Sequence, residues 1–425
     1  PGLASEPPTL APPMTENLFD LLSSRGFVAQ STDAEMRKRL ESPVTAYIGF
    51  DPTADSLHVG SLVPIMGLMW MQRCGHKPLV LVGGATGLIG DPSGKTALRQ
   101  MLTRDDIDRN AQAIAKQIGR VVRFDDSATG AKLVNNADWL ANLNWIEMLR
   151  AVGPHFSVNR MLTMDSVKGR MENGGITFLE FNYMVMQAYD FAHLFRAEQC
   201  TVQMGGQDQW GNIVMGIELG RRTADADLAG LTFPLVTKSD GGKFGKSEKG
   251  NIWLSPERTP VYEFFQFWRN VSDVDVAKFL GFFTTLPMDE VKKLTEHKDQ
   301  RINDAKIVLA YEVTKLIHGE AAADQALADA KNAFGAAHDV TGDSIPHADI
   351  AMSELEAGAG LLALLVRANL ATSNGDAKRL IQGGGVSIHD TRIDDLQRKV
   401  TAADIKDGHV LLKAGKKKLF RYDVR

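Results

Sequence analysis

Four short stretches of this chain carry side chains whose types and spacing could do chemistry. His58 and Gly60 sit in Ser56-Leu57-His58-Val59-Gly60-Ser61, just ahead of an apolar, helix-forming run. Free N–H groups at such a helix start bind phosphate, and an imidazole there could add a contact; a helix cap with an incidental histidine is the plainer alternative. Glu180, Tyr183, Gln187 and Asp190 recur at i, i+3, i+7 and i+10, so they share one face of a helix. The residues around them are apolar on almost every side, which makes the helix a buried one, and its polar stripe must meet protein partners or a polar ligand. Gly205-Gly206-Gln207-Asp208-Gln209-Trp210-Gly211-Asn212 frees the backbone and offers Asp208, which could accept from ribose hydroxyls or simply cap its turn. Lys238 to Gly250 holds four lysines and four glycines in thirteen residues. Such a loop is either a hairpin tip with solvated lysines or a mobile cationic arm that closes as charge develops on a leaving phosphate.

The elements that must position these groups can be read from local patterns. Pro43 to Phe50 and Pro78 to Val82 are short apolar runs bounded by turn formers, and Leu62 to Gln72 between them is helical: a βαβ unit. Side chains alternate along a strand, so Tyr47, Gly49 and Asp51 share a face. Cys200 to Met204 and Leu231 to Thr237 read as further buried strands with a helix, Ile213 to Arg221, between them. Glycines at the carboxyl end of such strands mark the place where open α/β sheets bind ligands. The run from Gly83 to Thr96 imitates a P-loop, but Ile89 stands where the first glycine is needed and Pro92 removes a backbone donor. What survives is a glycine-rich turn with Asp91, Lys95 and Arg99 as polar groups nearby. Met101 to Gly174 is polar-faced and mostly helical, an insertion in the sheet domain. Thr15 to Leu40 suggests two short helices, and Phe264, Phe265, Phe267 and Trp268 open an all-helical segment.

At 425 residues the chain has room for two or three domains. Its net charge is −4, but Leu361 to Arg425 holds 13 Lys plus Arg against 7 Asp plus Glu, a net of +6 that leaves −10 for residues 1–360. A basic end module on an acidic body is either a solvated face or a footprint for a polyanion. Arg367, Lys378 and Arg379 fall on its helices, and Lys416, Lys417 and Lys418 follow what reads as its last strand, a layout suited to phosphate contacts. Two cysteines with no CxxC argue against a disulfide scaffold or structural zinc and for a reducing compartment. No apolar run approaches the roughly 18 residues that span a bilayer. Residues 1–14 read as a disordered leader or an added segment ahead of a start at Met14.

His-Val-Gly after the first strand, Gly-Gly-Gln-Asp-Gln-Trp-Gly-Asn after a later one and Lys-Phe-Gly-Lys-Ser beyond it occur in that order. The chain thereby resembles the class I aminoacyl-tRNA synthetases, and specifically the bacterial-type tyrosine-specific family, from about Glu16 to Arg425. The resemblance implies a Rossmann-like parallel-sheet catalytic domain (15–257, helical insertion about 100–175) and an all-helical tRNA-binding domain (258–340). A linker (341–357) and a small α+β S4-like RNA-binding domain (358–425) complete it. ATP would be a substrate, with Mg²⁺ expected on its phosphates and no protein metal site; L-tyrosine and its tRNA would be the other partners of a cytoplasmic homodimer.

By the same resemblance, His58 and Gly60 belong to the HIGH signature, and Lys243, Lys246 and Ser247 to the KMSKS loop. Thr53, Lys95 and Arg99 would approach the phosphates. Tyr47 and Asp190 would bond the substrate phenol, and Tyr183, Gln187 and Asp91 its α-amino group, with Gln203 and Gln209 shaping the pocket. Asp51, Ser61, Gly206 and Asp208 would line the nucleotide side, and Arg367, Lys378, Arg379 and Lys416 to Lys418 would meet RNA. Ser61 replaces the second histidine of the HIGH signature, so the adenine-side contact departs from the family pattern. Three rivals stand beside this reading: a tryptophan-specific relative, a non-catalytic RNA-binding scaffold, and a small nucleotidyltransferase with a HxGH-like motif.

Overall fold

The computed structural model describes residues 15–92, 102–172, 174–237, 239, 244–247, 250–297, 299, 301–334, 346–415 and 418–425. They fall into two compact units: the chain up to Ser255 with Ser272–Ile302, and Pro256–Val271 with Asn303–Arg425.

The first unit is built on a six-stranded sheet. Its strands are β1 (Gln30–Ser31), β2 (Thr45–Phe50), β3 (Lys77–Val82), β4 (Lys132–Asn135), β5 (Cys200–Gly206) and β6 (Ala229–Phe233), in the order β1-β6-β5-β2-β3-β4. Only β1 runs antiparallel to its neighbour; the other five strands are parallel. The α/β expectation is therefore met. β3 and β6 are buried almost throughout, as parallel strands covered on both faces must be. From β2 the chain winds outward to β3 and β4, then returns to place β5 on the other side of β2. The winding reverses between β2 and β5, and a doubly wound sheet opens its ligand crevice at that switch point.

The helix Leu62–Arg73 follows β2 and is buried over nearly its whole length. It approaches the sheet so closely that a Cβ on Gly67 would stand 2.6 Å from Phe233 Cζ. The long helix Phe178–Glu198 opens with a capping box, Thr177 with Glu180, and ends on Gln199 in the left-handed region. Its burial starts only at Tyr183: Phe178, in the first turn, is 71% exposed. The insertion also contributes a strand where none was expected. β4 lies at the sheet edge with Lys132 and Leu133 exposed, so its sequence carries neither a buried run nor an alternation. The helix Val276–Phe283 belongs to this unit and packs against Leu62–Arg73.

In the second unit, Val261–Arg269 packs on Glu320–Phe334. The basic module forms a five-stranded sheet of Thr391–Arg392, Val386–Ile388, His409–Ala414, Lys418–Val424 and His347–Ile350, in that order. The helices Leu361–Arg367 and Asn374–Gln382 close a separate core with Val386, Val410, Leu412 and Tyr422. Two details differ from expectation. His347–Ile350, in the stretch read as linker, pairs in parallel with Lys418–Val424. Lys418 opens that last strand, because a run carrying Lys418, Arg421 and Asp423 hides its strand character behind charge.

Candidate active site

β2 and β5 run side by side with Tyr47 opposite Gln203, and the two side chains open on one cavity of about 810 Å³. Its wall also includes Asp51, Thr53, His58, Ser61, Asp91, Tyr183, Gln187, Asp190, Gly206 and Gln209. Strand alternation, helix period and the two glycine turns thus converge on one chamber, at the switch point of the sheet.

One end of the chamber is deeply buried. Tyr47 is 1% exposed and packs edge-on against Phe191 at 5.4 Å between ring centroids. Its hydroxyl has no hydrogen-bond partner among the described residues, and neither has Gln203 Oε1. Buried polar atoms left in this state are costly, and both sit on the cavity wall, where a ligand could satisfy them. Asp190 lies beside them. Its Oδ2 accepts from Asn136 Nδ2 at 3.0 Å and its Oδ1 from Trp139 Nε1 at 2.8 Å. Burial pushes the Asp190 carboxyl up to about 7, against the lowering effect of those two bonds. Burial likewise holds the Tyr47 and Tyr183 phenols far above their ordinary value, so both remain protonated.

Asn136, which is 0% exposed, uses both of its side-chain donors and its acceptor oxygen: Nδ2 also donates to Thr86 Oγ1 at 3.0 Å, and Oδ1 accepts from Ala85 N at 2.8 Å. Thr86 Oγ1 donates to Asp51 Oδ1 at 2.8 Å, and Tyr183 Oη donates to Asp51 Oδ2 at 2.7 Å. A continuous relay of bonds therefore joins Asp190 to Tyr183. Across the chamber, Gln209 Nε2 donates to Asp91 Oδ2 at 2.7 Å, while Asn212 Nδ2 donates to both Gln187 Oε1 and Gln209 Oε1 at 3.0 Å.

Elsewhere on the chamber wall stand Thr53, His58 and Ser61. His58 stands just before the turn Val59–Ser61, and its Nδ1 accepts from Gly60 N at 3.0 Å. A Cβ on Gly60 would sit 2.7 Å from His58 Cε1, which explains the glycine. Gly206 is constrained in the same way, with Asp208 Oδ1 2.4 Å from its would-be Cβ. Burial raises the Asp208 carboxyl, helped by the nearby Asp91. Lys246–Ser247 pairs with Gly250–Asn251 as a short hairpin. Phe244 anchors that hairpin, stacked on Phe283 at 5.5 Å and tilted on Phe279 at 4.9 Å.

Several expected residues stand elsewhere. Glu180 does not reach the chamber; it caps its helix and pairs with Arg170, because it falls in the first turn, ahead of the buried part. Lys95, Arg99, Lys243, Lys416 and Lys417 lie outside the described residues, and Lys246 and Ser247 are placed by their backbone. Arg367 bonds Glu354 at 3.0 Å and lies over the Tyr422 ring, whereas Lys378, Arg379 and Lys418 are exposed. Sequence reasoning missed Asn136, Trp139, Thr86, Asn212, Asn251 and Trp253. Of these, Asn212 carried a usable signal, three residues after Gln209, the N-cap of its helix.

Comparisons with known proteins agree with this geometry. The family model for class I tRNA synthetases (W and Y) matches residues 38–335, and that for the tyrosine–tRNA ligase SYY-like C-terminal domain matches residues 341–422. The tyrosine–tRNA ligase of Lachnoclostridium phytofermentans is 49% identical over 407 residues, covering 95% of this chain and 98% of the relative. That of Rhizobium meliloti is 49% identical over 401 residues, covering 93% and 96%. The C-terminally truncated mitochondrial tyrosyl-tRNA synthetase of Aspergillus nidulans matches with a TM-score of 0.66 at 32% identity, covering 75% of this chain and 94% of that one. A tryptophanyl-tRNA synthetase from Encephalitozoon cuniculi, at 12% identity and a TM-score of 0.53, shares the fold. With its signature turns meeting at one chamber and its relatives matching nearly end to end, the chain belongs to the tyrosine–tRNA ligase family of class I tRNA synthetases.

Proposed function

We propose that the protein is a tyrosine–tRNA ligase. It joins L-tyrosine to ATP, giving tyrosyl-adenylate and pyrophosphate, then transfers the tyrosyl group to the 3′-terminal adenosine of its tRNA, releasing AMP. The observation that carries the reading is the buried end of the chamber. A phenol entering there would donate to Asp190, whose carboxylate keeps lone pairs beyond those used by Asn136 and Trp139, and would satisfy the Tyr47 hydroxyl. Phenylalanine would leave these groups unpaired, a rule for which tyrosine enzymes are the standing illustration. An indole has no hydroxyl to reach Tyr47 and Asp190 together, which favours tyrosine over tryptophan.

Tyr183, Gln187 and Asp91 surround the position of the α-amino group, with Gln203 and Gln209 beside them. The tyrosine carboxylate is ionised and needs no general base. It attacks the α-phosphorus of ATP, the bond to the β-phosphate oxygen breaks, and pyrophosphate leaves. ATP enters as its magnesium complex, as substrate. Catalysis is positioning plus neutralisation of the leaving charge. We assign His58 and Thr53 to the phosphates, with Lys95, Arg99, Lys243 and Lys246 on the pyrophosphate side. Gly60, Ser61, Asp51, Gly206, Asp208 and Ser247 form the nucleotide surround, Asp208 toward the ribose. In the basic module Arg367, Lys378, Arg379 and Lys416 to Lys418 are assigned to RNA phosphates.

Among the described residues no helix is long and apolar enough to cross a membrane. The reading puts the enzyme in the cytoplasm, where tRNA is charged. It also makes the enzyme a homodimer: the helix Trp145–Ala151 leaves Trp145, Ile146 and Leu149 exposed, and the exposed Phe178 ring lies edge-on to Trp145 at 6.4 Å, apolar surface of the kind that marks a partner site. Ile146→Asp should convert the dimer to monomer in light scattering; a monomeric parent chain would refute the assignment. The function itself is tested by amino-acid-dependent ATP–pyrophosphate exchange. Exchange is expected with tyrosine, and exchange with tryptophan alone would overturn the substrate.

A further inference from the structure

The chamber wall around His58 is made by two segments far apart in sequence. His58 and Trp253 face each other as an isolated antiparallel pair. Around them Val59 N donates to Ile252 O at 3.0 Å, and Leu254 N donates to Leu57 O at 2.8 Å. The same strand holds the lysine turn, since Ile252 N donates to Gly245 O at 2.8 Å. Gly245 has a φ of +79°, and a Cβ there would lie 2.8 Å from Val59 Cγ2, so the two signature turns are packed against each other as well as bonded. The phosphate turn therefore has backbone partners on one side, through residues 252 to 254.

The side chain of Gln117 adds to this pairing. Gln117, from the helix Arg104–Ile118, accepts from Leu57 N through Oε1 at 2.8 Å and donates from Nε2 to Ser56 Oγ at 3.0 Å. Its carboxamide thus offers one acceptor and one donor, as a peptide group in a neighbouring strand would. Ser56, only 3% exposed, passes the constraint on: its hydroxyl donates to Leu57 O at 2.8 Å and accepts from Ser255 N at 3.1 Å. With the bond from Gln117, its one donor and two lone pairs are all in use. Leu57, the residue before His58, is consequently held at both N–H and C=O. Gln117 does not line the chamber.

We infer that Gln117 is a positioning residue for the adenylation step: through Ser56 and Leu57 it holds the His58 turn in register with the strand that carries the lysine loop. The inference rests on the ATP-dependent reading above, in which the two turns act on the same phosphates. Its consequence is a split between substrates. The tyrosine end of the chamber hangs on the Asp190–Asn136–Thr86–Asp51 relay and shares no bond with Gln117, so loss of Gln117 should spare amino-acid binding and slow the chemistry.

The test uses the full chain with Gln117→Met, which keeps the volume and loses both bonds, and Gln117→Glu, which keeps the acceptor for Leu57 N and loses the donor. Tyrosine Kd is measured by equilibrium dialysis and tyrosine-dependent ATP–pyrophosphate exchange by its kcat. For Gln117→Met, kcat is expected to fall on the order of 100-fold, as small misplacements of reacting groups do, with tyrosine Kd within about twofold of the parent. Gln117→Glu is expected to lie between it and the parent. Parental kcat in both variants overturns the inference, and so does a parallel loss of tyrosine binding and exchange in both, which would mean that Gln117 only holds the fold. A parent chain without tyrosine-dependent exchange would instead defeat the proposed function itself.

Discussion

Asp190 answers two opposed demands, since burial disfavours its charge while the proposed tyrosine recognition needs that charge. Its carboxyl is pushed from 3.8 up to about 7, so between those values the folded chain binds a proton that the unfolded chain has released. The stabilising increment from this group is therefore complete below about pH 4 and lost as pH rises through 7, at about 1.4 kcal/mol for each pH unit crossed between the two values. Asp190→Asn has no such proton to lose. Its melting temperature should gain on the parent's as pH rises from 4 to 7, and parallel curves would refute the raised value. In catalysis the sign reverses, because the ionised form accepts the phenol: parent kcat/KM for tyrosine should fall below pH 7, with the profile absent in Asp190→Asn. Tyr47→Phe removes a hydroxyl that has no partner among the described residues, so the free protein should be no less stable. Discrimination against phenylalanine should still drop by about 5- to 150-fold, the equivalent of one unpaired polar group. Unchanged discrimination would remove Tyr47 from the phenol site. Tyr47 and Asp190 were legible in the sequence because strand alternation and helix period each assign a face. Asn136 and Trp139, which bond Asp190, follow a four-residue edge strand with no period to read. Glu180 had the right period and the wrong height, one turn too near the exposed end of its helix.

Elements here do their work by anchoring short turns. The lysine hairpin has little core of its own, and Phe244 ties it to the helix Val276–Phe283 through Phe279 and Phe283. Phe244→Ala should therefore unmoor the hairpin and lower exchange kcat by at least about tenfold, with tyrosine Kd unchanged; the lost packing should cost about 3 kcal/mol of stability. A kcat at the parental level would show that the hairpin finds its place without the anchor. The long buried strands and helices were readable because their apolar patterns report burial directly. Element membership was harder. Val276–Phe283 reads as the continuation of a helical segment, yet it packs on Leu62–Arg73 of the sheet unit, a tertiary contact that no local pattern encodes. β1 and β4 escaped for a related reason, since two- and four-residue edge strands bury too little to leave a signature.

At the scale of the whole molecule, the sheet unit holds the chamber and the basic end module holds the surplus of positive charge. The sequence already separated them by composition, with a net of +6 after residue 360, but it could not show where the module begins. That limit matters for dissection. His347–Ile350 pairs along Lys418–Val424, and Met352 N donates to Arg425 O at 2.8 Å, so the module's sheet closes through residues before its first long helix. A chain ending at residue 360 would leave that strand unpaired, exposing an edge prone to association. A chain ending at residue 345 removes the module whole, with its separate core. The chamber lies in the other unit, so the shorter chain should retain parental tyrosine-dependent exchange. It should lose tRNA charging by raising the KM for tRNA, because the phosphate contacts supply affinity and release counterions. Salt sharpens the test. Charging by the parent should weaken steeply between about 50 and 200 mM salt, with a slope of roughly 0.9 per phosphate contact, and the slope should flatten in the shortened chain. Normal charging by that chain, with an unchanged salt slope, would mean that the module's lysines and arginines face solvent and not RNA.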